Sequence, residues 1–273
     1  MMARANYPAV LADTLKHEGG FQPDRHDKGN WTGGKVGVGE LKGTNKGISA
    51  AAFPDLDIRN LSDAEIARIY EAKYWNPVRG DLLPYGVDLA TFDAGVMSGP
   101  GRAVKWLQKS IGTKVDGAFG PKTAEAMGHA ELIGDKIVHR VCDARLGFVK
   151  GLTIFSRYGK GWSRRIAGVR AKGVAMWMDN RNWTAALKHD QLERTAEAAR
   201  KRARAQDTAA KGTAATGGTG VAVDRGTDFI DLLGNGLVLA AAIGLFIFVA
   251  YLIATRARIN RDTAQAMDAE AAA

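Results

Sequence analysis

A carboxylate followed by two glycines marks the first firm boundary in this chain. In Leu15-Lys16-His17-Glu18-Gly19-Gly20-Phe21, Leu15 continues the helical face begun by Val10 and Leu11. Gly19-Gly20 supplies the left-handed stop that ends such a helix. Glu18 is then the last polar side chain before the stop, where unpaired carbonyls and the negative end of the macrodipole gather. Negative potential disfavours an ionised carboxylate. A carboxyl held protonated near neutral pH is what a glycosidase needs to protonate a leaving sugar oxygen. The competing reading, an ordinary exposed last-turn residue, is the one that local physics alone favours.

A second carboxylate, Asp27, follows nine residues later. The segment between them contains Pro23 and can fold back, so the two carboxyls can face one another across a groove. Paired carboxylates flanking a glycosidic bond are the basic equipment of most glycosidases. Asp27 would stabilise charge or activate water; as an Asp close to a Gly it also suits a plain turn. His17, His26, Asp24 and Glu18 make a zinc site conceivable, but their spacing matches no usual ligand pattern, and neither metal nor cofactor is expected. Ser49 and Ser98 lack a Gly-x-Ser-x-Gly context, and Cys142 sits in a long apolar helix where a core thiol is the default.

The chain divides by pattern. Residues 7–95 read as a mostly helical first domain. It contains a glycine-rich loop or pair of short strands over 27–47. It also contains a helix capped by Ser62 and Glu65 that runs to Tyr74-Trp75 and stops at Asn76-Pro77. A further helix spans Gly86 to Met97, with Val87, Ala90, Phe92 and Val96 available to the core. Residues 96–178 read as a second helical unit: a helix around Ala103–Leu107, a turn at 115–120, a helix starting at Pro121, a long helix 132–152, and a last helix after Gly161-Trp162. Residues 179–231 change to a charged exposed helix followed by an Ala/Thr/Gly linker over 207–220. The cluster Arg200-Lys201-Arg202-Ala203-Arg204 suits a solvated helix face or an anionic surface. Leu232 to Ala254 is uncharged and reaches ~35 Å as a helix, enough for a bilayer core, so a transmembrane helix is expected there, with 255–273 as a basic, alanine-rich tail. Arg256, Arg258 and Arg261 follow that span and Arg225 precedes it, which puts the C-terminus in the cytoplasm and the large N-terminal part outside. The first ten residues carry no apolar core of a signal peptide.

The net charge of +9 calls for an anionic partner: nucleic acid, anionic lipid or a bacterial wall. The single cysteine excludes an intrachain disulfide and a thiolate zinc site.

His17-Glu18-Gly19-Gly20-Phe21, then Asp27-Lys28-Gly29, then Thr44-Asn45-Lys46-Gly47-Ile48 resemble the N-acetylmuramidases of glycoside hydrolase family 108. The family pattern is Glu-Gly-Gly-aromatic, Asp-x-Gly-Gly and Thr-x-x-Gly-Ile. The resemblance covers about residues 8–95. It implies a lysozyme-like, mainly α catalytic domain with a short β segment, and catalytic roles for Glu18, Asp27 and Thr44. The spacing is also similar to phage lysozymes in which a threonine helps hold the attacking water. Asn30 stands where the family has the second glycine, and an insertion, Trp31 to Gly43, separates Asp27 from Thr44. Thr32, at the uninterrupted spacing, is the rival. Residues 101–108 and 115–123 resemble the small peptidoglycan-binding domain that follows this catalytic domain. Tyr74, Trp75 and Trp106 are candidates to stack on sugar rings, with core packing as the alternative. The resemblance implies a peptidoglycan hydrolase cutting between N-acetylmuramic acid and N-acetylglucosamine, with a role in phage or prophage lysis or in wall remodelling. It would be held to the bacterial inner membrane through 232–254 and act on the periplasmic side, with no nucleic-acid partner. A lytic transglycosylase, an inert membrane-tethered wall-binding protein, and a nucleic-acid binder suggested by charge alone are the other readings.

Overall fold

The structure is a computed structural model that describes residues 3–218 and 236–273. It is mainly helical: α1 (Tyr7–Leu15), α2 (Asp63–Tyr70), α3 (Asn76–Val78), α4 (Val87–Ser98), α5 (Pro100–Ile111), α6 (Pro121–Ala130), α7 (Gly134–Lys150), α8 (Phe155–Asn180), α9 (Ala185–Gly218) and α10 (Gly236–Ala271). Two short strands, β1 (Thr44–Asn45) and β2 (Ile48–Ser49), pair antiparallel with Thr44 opposite Ser49 and Asn45 opposite Ile48. Lys46 and Gly47 join them, both at positive φ, as a two-residue primed turn demands.

The central element is α4. Every residue from Val87 to Gly95 is buried, as expected of a helix enclosed on all sides. It packs against α1, α5, α7 and α8, and one apolar cluster runs continuously from Val10 in α1 to Met267 in α10. Two carboxylates lie within this helix. Asp88 accepts from the side chain of Asn6 at 2.7 Å and from the backbone N–H groups of Gly86 and Leu89, each at 2.7 Å. Burial pushes its pKa up to about 7, against the downward pull of those three donors.

Local signals explain most boundaries. Ser62 and Glu65 form the expected capping box, each bonding the other's backbone N–H. That helix widens into a π turn over Glu71–Trp75 and passes through Asn76-Pro77 as α3, ending at Arg79, which is left-handed at φ 53°. The expected stop at Asn76 therefore falls three residues late; Pro77 sits in the first turn of α3, where its missing N–H costs nothing. The turn at 115–120 is organised by one buried side chain. Gln108 donates to Asp116 Oδ1, the Ala118 carbonyl and Thr123 Oγ1, and its own carbonyl accepts from the N–H groups of Asp116 and Gly117.

Four further expectations differ from the structure. The helix placed after Gly161-Trp162 starts at Phe155 and absorbs Gly161. The charged segment and the linker are one helix, α9, through Gly218; residues 219–231 lie outside the described ones. A stripe at Leu192, Ala196, Ala199 and Ala203 buries α9 against its neighbours, so it is not a free-standing exposed helix. The expected transmembrane helix 232–254 begins in residues outside the described ones. Its described part belongs to α10, which runs on without a break to Ala271. Among the described residues no helix is long and apolar enough to cross a membrane, so the structure does not support the span or an attachment through it. Residues 255–271 are not a separate tail either. They carry Arg256, Arg258, Arg261 and Asp262 and lie against α8 and α9, with Asp268 bound by Arg200 at 2.6 Å, Glu270 by Lys172 at 3.1 Å, and Asp207 by Arg261.

The two sequence units meet at backbone contact. A Cβ on Gly86, which has φ +82°, would lie 1.9 Å from the carbonyl oxygen of Gly173 in α8. Gly86→Ala is expected to destabilise the fold by roughly 3 kcal/mol through overlap and left-handed strain. Gly128→Ala, in α6 with open space around the new methyl, is expected to stabilise by about 0.5–1 kcal/mol. Thermal or urea melts of the two variants should move in opposite directions.

Candidate active site

Glu18 follows α1 on two tight turns: His17 N–H bonds the Thr14 carbonyl and Glu18 N–H the Leu15 carbonyl. Gly19, at φ +65°, then turns the chain away, as its sequence requires. The side chain is 18% exposed. Its setting is not the bare helix end that the sequence suggests, because a cation stands beside it. Arg165 Nη1 lies 2.7 Å from Glu18 Oε1. Oε1 is buried, and the guanidinium is the group that meets it. The hairpin turn borders Oε2: a Cβ on Gly47 would sit 3.1 Å from it and 3.0 Å from the Tyr70 hydroxyl. Tyr70 donates to the Lys46 carbonyl at 2.8 Å. Burial first, then the Glu18 carboxylate, raises the pKa of both Tyr70 and Tyr74.

Arg165 is itself fixed from behind. Its Nε and Nη2 donate to Asp93 Oδ2 at 2.9 and 2.6 Å, and Arg145 Nη1 donates to Asp93 Oδ1 at 2.6 Å. Asp93, Arg145 and Arg165 are all at least nine-tenths buried. Burial alone would push Asp93 up, but the two guanidiniums outweigh it and hold its pKa below the ordinary carboxylate range. None of these three residues stands out in the sequence. The one available signal is an ionisable side chain inside an otherwise apolar helical stretch, as at Asp93 between Phe92 and Ala94.

Asp27 lies on the other side of the same hairpin. It is exposed and caps the turn that follows it, with Oδ1 accepting from Gly29 N–H at 2.8 Å. Behind it sits Asn30, fully buried. Asn30 Nδ2 donates to Gln22 Oε1 at 2.9 Å and to the Asp24 carbonyl at 2.8 Å. Its Oδ1 accepts from Thr44 Oγ1 at 2.6 Å and from Gln22 Nε2 at 3.2 Å. Gln22 also reaches Asp27 Oδ2 at 3.4 Å and pairs with Thr44 through the backbone. The residue that replaces a glycine of the motif thus ties Asp27's loop to Thr44. Thr32 is placed differently. Its hydroxyl accepts from Glu40 N–H at 2.9 Å, closing the arm formed by the 31–43 insertion.

The aromatic candidates separate. Trp75 is 2% exposed and stacks with Tyr7 and Phe92 in the core, so it is removed from the sugar-stacking set. Tyr74 is half-buried near Glu18, against Tyr70 and Phe92. Trp106 packs on Phe148 in a cluster with Val78, Ala94, Ala103 and Val104. Cys142 is buried in the core, and burial raises its thiol pKa. Among the described residues no group of three His, Cys, Asp or Glu is placed to hold a metal ion.

Two tests follow from this geometry. Asn30→Ala removes the hub and leaves the Thr44 hydroxyl and Gln22 amide without their partner, a loss expected to cost about 2 kcal/mol in urea unfolding. Asp93 has a native pKa below its unfolded value. Its stabilisation is therefore fully present above pH ~4 and lost as pH falls through the native value. Asp93→Asn is expected to cost about 3–5 kcal/mol at neutral pH, because two buried guanidiniums lose their counter-charge. The difference between wild type and variant should shrink in melts taken below pH ~4.

Comparisons with known proteins place the chain in a family. The family model described as Glycosyl hydrolase 108 matches residues 11–99, and the model described as Predicted Peptidoglycan domain matches residues 102–167. The solved structure of Brucella abortus SagA is 37% identical, with a TM-score of 0.53, over 64% of this chain and 97% of that one. No curated protein matches the chain. Glu18, Asp27 and Thr44 lie within the first matched segment, and Arg145 and Arg165 within the second. The chain belongs to the glycosyl hydrolase 108 family, and that membership, with the peptidoglycan domain behind it, makes it a glycoside hydrolase of peptidoglycan.

Proposed function

We propose that the chain is a muramidase that cleaves the β-1,4 bond between N-acetylmuramic acid and N-acetylglucosamine, in phage or prophage lysis. Glu18 protonates the leaving oxygen. Asp27 stabilises the positive charge that develops on the sugar or activates the attacking water, with Thr44 helping to hold that water. The observation that carries the reading is that both carboxylates border one hairpin. Its turn, at Gly47, abuts Glu18 Oε2, and its first strand, at Thr44, is tied through Asn30 to the Asp27 loop. The two carboxylates also differ in exposure: Glu18 is partly buried, whereas Asp27 is open to solvent. Tyr74 is the aromatic best placed to touch a sugar near Glu18. The excess of basic side chains favours an anionic wall.

A lytic transglycosylase on the same bond needs the acid but no water-activating carboxylate. Purified sacculi digested by the full chain should yield hydrated reducing ends, and mass spectrometry distinguishes these from anhydro products lacking one water. Glu18→Gln should lower the rate by about 10³-fold, and Asp27→Asn should abolish most of what wild type achieves. Anhydro products with full activity in Asp27→Asn would replace the hydrolase with the transglycosylase. Unchanged lysis by Glu18→Gln would leave a wall-binding protein.

A further inference from the structure

We propose that Arg165 is a positioning residue for Glu18, so that the active site is composite and the peptidoglycan domain completes it within the same chain. The inference rests on Glu18 being the proton donor. From its own unit Glu18 has the hairpin turn at Gly47 and the rings of Tyr70 and Tyr74 nearby. A Cβ on Gly19 or Gly20 would meet nothing within 4 Å. The buried oxygen of Glu18, Oε1, is met by a guanidinium nitrogen at 2.7 Å. The cation beside that oxygen comes from α8, in the segment that matches the peptidoglycan domain.

The direction of that cation is set by its other contacts. A guanidinium is a rigid planar fork, and fixing two of its nitrogens fixes the third. Asp93 takes Nε and Nη2 of Arg165, which leaves Nη1 aimed at Glu18. Arg145 holds Asp93 from the far side. The row Arg145, Asp93, Arg165, Glu18 alternates in sign and is balanced in charge. Its first three members are buried, so the arginine reaches Glu18 from a rigid base. Arg165 holds Oε1, leaving Oε2, beside the hairpin turn, as the oxygen available to exchange a proton with substrate.

The full chain with Arg165→Gln tests this on soluble glycan strands. The expected result is a cooperative melt, a KM close to wild type, and a kcat lowered about 100-fold, the scale of loss when a reacting group is displaced by about 1 Å. Arg165→Lys returns a cation without the fork and should recover part of kcat. A purely structural arginine would lower stability and leave kcat of the folded fraction intact. A folded Arg165→Gln with kcat within twofold of wild type overturns the proposal. Should Arg165→Gln fail to fold, Arg165→Lys decides: kcat lowered at least tenfold at unchanged KM supports it, and wild-type kcat overturns it. Full activity of Glu18→Gln in the same assay marks failure of the proton-donor reading itself, which an active, Glu18-dependent wild type with an indifferent Arg165 does not.

Discussion

A single buried carboxylate determines how this molecule is assembled. Asp93 lies in the most enclosed helix of the fold, and burying it is tolerable only because Arg145 and Arg165 supply two guanidiniums. Those arginines come from α7 and α8, more than fifty residues further along the chain. The central helix is thereby locked to the helices on its far side, and a cation is delivered to the edge of the catalytic loop. Charge neutrality in the core and the shape of the site are the same constraint seen from two sides.

The hairpin is the second organising device. Its primed turn needs two residues at positive φ, and Lys46-Gly47 provides them. The glycine has a second duty, since any side chain there would crowd Glu18 Oε2 and the Tyr70 hydroxyl. The insertion after Asp27 projects as an arm without disturbing this arrangement. Asn30 accounts for that: buried before the arm begins, it binds Gln22, Asp24 and Thr44, so the chain returns to the same place however long the detour.

Much of the local structure was legible in the sequence. The left-handed Gly19, the Ser62/Glu65 cap, the start at Pro121 and the core positions Val87, Ala90 and Phe92 all depend on near neighbours, although the first helix ends at Leu15 and not at the glycine pair. The terminal region was less legible. The charge and alanine content of 185–218 suggested an exposed helix and linker, while the Leu192, Ala196, Ala199, Ala203 stripe carried the packing. The apolar run after residue 232 suggested a membrane span. In the described part it is continuous with a polar half that lies against α8 and α9.

The sequence by itself determined the helical class, the family and the carboxylates that its motifs mark, because turns, caps and motif spacing are properties of adjacent residues. It did not determine which threonine is tied to the loop after Asp27, which aromatics are core, or what faces Glu18. Those were decided by contacts between distant segments: Thr44 through Asn30, Trp75 through Tyr7 and Phe92, and Glu18 through Arg165. A charged residue's partner depends on where helices cross, and helix crossing is set by the packing of the whole core.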